Sequence, residues 1–113
     1  MVIENKVKIG SSTYEVKLEK ILMNNLNCDG CIDFTNETIE LQEDMDLAGN
    51  YAKKVFIHEI VHGILEECGL KQDEDFVLPF SNCLYSVIKD NPNIFNPNIN
   101  DVDYCEELVD NEV

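Results

Sequence analysis

Apolar and polar positions alternate with a period of two in the first third of the chain and with a helical period after it. Val7 and Ile9 alternate with lysines, Gly10-Ser11-Ser12 supplies a turn, and Tyr14, Val16 and Leu18 alternate with Glu15 and Lys17. This pattern predicts a β-hairpin over residues 2–18. Residues 19–27 are assigned a short helical turn. Ile32 and Phe34 then alternate with Asp33, and Ile39 and Leu41 with Glu40 and Gln42, around the turn Thr35-Asn36-Glu37-Thr38, which predicts a second hairpin.

From Leu47 or Ala48 to Cys68 the period becomes helical. Glu43, Asp44 and Asp46 precede this helix, where negative charge suits the N-terminal end of the macrodipole. Gly69 fits the position just past its end. Phe56, Ile57, Ile60, Val61, Ile64 and Leu65 make the helix apolar almost all round, so it is expected to be central and buried. A second helix opens at Asp73-Glu74-Asp75, with Asp73 as N-cap. Phe76, Val77, Phe80, Leu84, Val87 and Ile88 give it helical spacing. Pro79 either kinks it or delays its regular part to near Leu78, and it ends before Asn91-Pro92.

The expected fold is α+β: a small antiparallel sheet of two hairpins packed on a buried helix and a second helix, in one domain over residues 1–92. Residues 93–113 are rich in Asn, Asp, Glu and Pro and contain no lysine. They are expected to form an acidic, mobile tail, with a helical turn at residues 104–109.

Composition narrows the partners. The 113 residues carry a net charge of −15, and all eight cationic side chains are lysines. Such a surface repels nucleic acid and anionic membranes, and without arginine the bidentate base and phosphate contacts are missing. No apolar run is long enough for a membrane span, and no secretory signal is visible at the N-terminus, so the cytosol is the expected compartment. The five cysteines are then expected to be thiols. Cys28-Asp-Gly-Cys31 lacks the second pair that a zinc ribbon needs.

The chemistry concentrates in His58-Glu59-Ile60-Val61-His62, an H-E-x-x-H string that holds both histidines of the chain. On a helix, residues four apart share a face about 6 Å apart along the axis, so both imidazoles can reach one ion of zinc size. Glu59, turned roughly 100° from His58, reaches a water beside the ion rather than the ion itself. Two ligands and a general base are the parts of a zinc hydrolase. Glu66 continues the histidine row, but its rise puts it about 12 Å from His58. The third ligand is therefore sought in the acidic triplet of the second helix: Glu74 first, then Asp75, then Asp73. A strictly antiparallel helix pair would bring Cys83 or Asn82 closer instead. Tyr85 and Tyr51 are the candidates for a hydrogen-bond donor to developing charge, and the strand Thr38–Leu41 is a candidate edge for binding an extended peptide.

The segments GCIDFTNETIEL, HEIVHGILEECGL and DEDFVLPFSNCLYSVIKDNP resemble small phage-associated HExxH metallopeptidases, distant relatives of the ImmA/IrrE-type zinc peptidases. The resemblance covers residues 30–92. It implies a minimal zincin-like fold, a gluzincin site in which Glu74 joins His58 and His62 on Zn2+, and intracellular cleavage of a peptide or protein substrate. Two other classes compete: a phage-type interaction protein with a structural or vestigial zinc, and a nucleic-acid mimic working by charge alone.

Overall fold

The computed structural model describes residues 1–20 and 29–95. The expected turn at 19–27 and the tail from residue 96 on lie outside the described residues, except that Glu19 closes a strand. Four strands and two helices form three layers: a sheet, a central helix and an outer helix.

Both hairpins are present. β1 (Lys6–Ile9) pairs antiparallel with β2 (Ser12–Glu19), and β3 (Gly30–Asp33) pairs antiparallel with β4 (Thr38–Gln42). The turns follow their residues. Gly10 takes φ +60°, which closes a two-residue turn between Ile9 and Ser12. Asp33 accepts hydrogen bonds from the backbone of Thr35 and Asn36, both at 3.0 Å, an Asx-type closure.

The expectation of a purely antiparallel sheet needs correction. The strand order is β1-β2-β4-β3, and β2 pairs with β4 in parallel, Val16 opposite Ile39 and Leu18 opposite Leu41. The sheet is mixed because the second hairpin docks with its second strand inward. β4 carries Ile39 and Leu41, both fully buried, and burying these two from both sides is worth more than burying the shorter apolar face of β3.

α1 (Asn50–Cys68) lies across the sheet. It begins later than Leu47 or Ala48. The Asp46 side chain accepts the Ala48 N–H at 3.1 Å and its carbonyl accepts that of Gly49 at 2.9 Å, so residues 46–49 form a turn, and extended Gly49 is the N-cap. The helix ends where expected, with Gly69 at φ 69°. One side of α1 buries Phe56 against Ile9, Tyr14, Ile39 and Leu41. The other buries Ile57, Val61 and Leu65 against Val77 and Tyr85 of α2 (Glu74–Asp90). This two-sided burial explains the nearly continuous apolar circumference of α1. α2 is continuous from Glu74 with Pro79 inside it, so its regular part is not delayed to Leu78.

Two contacts fix α1 on the sheet. Glu67 Oε1 accepts from the Ser11 N–H at 2.8 Å and from the Ser11 hydroxyl at 2.7 Å, tying the end of the helix to the first turn. At the other hairpin, Gly30 lets β3 approach closely. A Cβ there would stand 2.6 Å from Val55 Cγ1 and 3.4 Å from Glu59 Cγ. Val55 is β-branched and has little rotamer freedom on a helix. Gly30→Ala should therefore destabilise the fold by about 1–3 kcal/mol in urea unfolding; unchanged stability would mean that β3 and α1 are not in this contact.

Candidate metal and proton-transfer site

The histidines lie where the sheet-facing and α2-facing sides of α1 meet. Their rings stand 5.0 Å apart, centre to centre, and inclined at 65°. Both are half-buried. Glu74, the first residue of α2, reaches both of them: Oε1 lies 2.6 Å from His58 Nε2, and Oε2 lies 2.9 Å from His62 Nε2. His58, His62 and Glu74 each offer a ligand atom within 4.8 Å of the others, close enough to hold one metal ion.

A tight helix hairpin would leave Glu74 beyond His62, and the chain avoids this in two steps. Gly69 reverses direction in the left-handed region. Gln72 then hooks onto the helix: its amide nitrogen donates to the His62 carbonyl at 3.0 Å, and its amide oxygen meets His62 Nδ1 at 2.7 Å. The loop is thereby drawn back along α1, and the first turn of α2 comes level with both histidines.

The Gln72 contact also fixes the tautomer of His62. Gln72 Oε1 can only accept, so His62 Nδ1 carries a proton. The Ser81 hydroxyl lies 3.2 Å from the Leu78 carbonyl and 3.2 Å from His58 Nδ1, and so holds that ring from behind. In the neutral ring His62 Nε2 then presents a lone pair to the carboxylate of Glu74. Acceptor faces acceptor at hydrogen-bond distance, an arrangement that repels unless a proton or a metal cation lies between. Burial holds His58 below the ordinary imidazole range, although the Glu74 carboxylate pulls the other way. Burial thus favours the neutral ring that a metal requires.

Glu59 sits on the sheet side of this cluster. It is 7 % exposed, its stem packs on Gly30, and it opens on a pocket of ≈ 860 Å³. His58, His62, Glu74, Tyr51, Ile32 and Leu78 contribute to the walls. Burial pushes the Glu59 carboxyl up to about 7, His62 opposing and Glu74 adding to the shift. That is the range in which a carboxyl can both take and return a proton near neutral pH.

The other candidates separate cleanly. Asp73 is the N-cap of α2 and accepts the Asp75 N–H at 3.0 Å. Neither Asp73 nor Asp75 joins the cluster, and Cys83 is an exposed free thiol. Asn82 lines the pocket, as does Tyr51, whose hydroxyl donates to the Asp29 carboxylate. Tyr85 is excluded as a donor to the site: it is buried, and its hydroxyl donates to Asn50 Oδ1 at 2.8 Å. β4 is no edge either, since it runs between β2 and β3; the edges are β1 and β3, and Gly30 and Ile32 of β3 line the pocket. The Cys31 thiol donates to Glu40 Oε1 at 3.3 Å, while Cys28, the other half of the C-x-x-C, lies outside the described residues. Sequence reasoning missed Gln72 and Ser81. Ser81 carried a signal: it is a small polar residue on the apolar side of α2, two turns from Glu74, and it is 1 % exposed.

No family model, curated protein or solved structure matches this chain in the comparisons made. Among the described residues no helix is long and apolar enough to cross a membrane.

Glu59 also predicts a pH dependence. Its folded pKa lies above its unfolded value of 4.5, so the folded state binds the extra proton between the two. Stability of the metal-free protein is therefore lost as pH rises from about 4.5 to about 7. In chelator, Glu59→Gln should gain about 1–3 kcal/mol over the parent protein at pH 8 and little at pH 4. Equal stabilities of parent and variant across this range would show that the carboxyl is not buried as described.

Proposed function

We propose that this protein is a zinc-dependent peptidase of the HExxH type, with His58, His62 and Glu74 as the metal ligands and Glu59 as the general base. The observation that carries this reading is the meeting of three ligand atoms whose rings are already held from behind. Gln72 takes the Nδ1 proton of His62 and the Ser81 hydroxyl meets Nδ1 of His58, the kind of partner arrangement that orients imidazoles on a metal. Two nitrogens and one carboxylate suit zinc, and three protein ligands leave a position open for chemistry. Bound there, the ion would supply Lewis acidity toward a peptide carbonyl and acidify a water.

The remaining work falls to the chain. Glu59 stands in the pocket wall one residue along from the first ligand, ready to take a proton from the attacking water and return it to the leaving amine. Its low exposure keeps bulk water from competing for that proton. Tyr51, in the same wall, is the hydroxyl that could donate to the developing oxyanion once released from Asp29. Ile32, Phe34, Val55 and Leu78 offer apolar surface to a substrate side chain. An open pocket holding a proton-transfer group beside the ligands favours this reading over a purely structural zinc. The same pocket gives the histidines a role that mimicry of nucleic acid would not.

The protein should bind one equivalent of zinc by metal analysis, and His58→Ala and Glu74→Ala should lose it. Gln72→Ala and Ser81→Ala should keep the site but weaken zinc affinity by about 10–100-fold in a chelator competition. With a quenched-fluorescence peptide library, Glu59→Gln should retain zinc and lose at least about 100-fold in hydrolysis. Full hydrolysis by that variant would remove Glu59 as the base, and a zinc-free parent protein would remove the reading itself.

A further inference from the structure

The outer side of α2 is more apolar than the fold requires. Phe76, Phe80 and Val87 fit the helical period, yet they stay 45 %, 46 % and 40 % exposed. Phe76 and Phe80 stack on each other with centroids 5.0 Å apart and planes at 24°. With the exposed Cys83 they form a row at i, i+4, i+7 and i+11, about 16 Å long. The row lies on the side of α2 turned away from Val77, Ser81 and Tyr85, which face α1. A contiguous apolar row bordered by charged residues is the pattern of a contact surface.

Its flanks say what covers it. By helical position, Asp73 and Asp90 border the row, each turned roughly 50° to one side of it, whereas Lys89, the only cation of α2, is turned roughly 150° away. A second copy is a poor occupant: two α2 helices packed antiparallel through this row would set Asp73 of one copy against Asp90 of the other. The chain's charge of −15 adds to that repulsion. We propose that the outer face of α2 is a docking surface for a partner protein presenting an amphipathic helix of about four to five turns, its apolar row seated on Phe76, Phe80 and Val87 and its lysines or arginines set against Asp73 and Asp90. The mode is the pairing of apolar helix faces with charged edges that fix the orientation. This surface stands apart from the histidine cluster, so the inference does not depend on metal binding.

Three labelled helical peptides of 16 residues test it by fluorescence anisotropy against the full chain: an amphipathic leucine–lysine peptide, the same composition scrambled, and the leucine–glutamate counterpart. The amphipathic lysine peptide should bind at least about tenfold more tightly than the other two. Its affinity should fall at least about tenfold for the Phe76→Ser/Phe80→Ser double variant and weaken as salt is raised from 50 to 300 mM, concentrations at which exposed charges are screened. Neither ring belongs to a buried cluster, so the variant should stay folded by circular dichroism, which separates lost binding from lost structure. Equal binding of the scrambled peptide would show charge attraction alone and overturn the proposal. So would unchanged affinity in the double variant, or sedimentation showing a dimer of the parent protein that the double variant dissociates.

Discussion

Three atoms brought within reach of one another dominate this structure. The Nε2 atoms of His58 and His62 and the carboxylate of Glu74 converge from two helices, and His62 Nε2 facing that carboxylate calls for a proton or a cation between them. Everything around them holds that geometry. The sheet and α2 bury opposite sides of α1, which leaves the histidines in the seam. Gln72 draws the interhelix loop back along α1, and Ser81 fixes His58 from α2. α2 thus supplies one of the three atoms and the support for another, so the helix pair and the site depend on the same packing of Val77 and Tyr85 on Ile57, Val61 and Leu65.

The sheet acts at a distance. Its polar face carries alternating lysines and acids, and its apolar face forms the bed of α1. Gly30 lets β3 come close to the Glu59 stem, and burial raises the Glu59 carboxyl toward neutrality. The carboxyl needs both burial and an opening: burial alone would keep it protonated, and full exposure would make it a weaker base.

Much of this was legible in the residues. Period-two alternation located all four strands, and the apolar circumference of α1 announced burial on two sides. The H-E-x-x-H spacing placed both histidines on one face of α1, with Glu59 beside them, by helix geometry alone. Glu74 was reachable as a first choice because no histidine remained and the acids of the second helix were nearest in sequence. The way it reaches the cluster was not legible. It depends on a glutamine side chain folding back onto a backbone carbonyl, which leaves no periodic trace. The parallel β2–β4 pairing was hidden for a similar reason: alternation sets which face of a strand is buried and is silent on its neighbour. Helical periodicity in α2 overstated the core, because Phe76, Phe80 and Val87 have the spacing of buried residues and lie on the outer side. The same spacing serves a face buried within the chain and a face kept for another.

The central claim is that a metal ion joins these three side chains. X-ray absorption at the zinc edge on the zinc-loaded protein tests it most directly. The expected spectrum has imidazole scattering from two rings, nitrogen and oxygen neighbours at about 2.0–2.2 Å and no sulfur shell. A sulfur contribution at about 2.3 Å, or a spectrum without imidazole scattering, would contradict it.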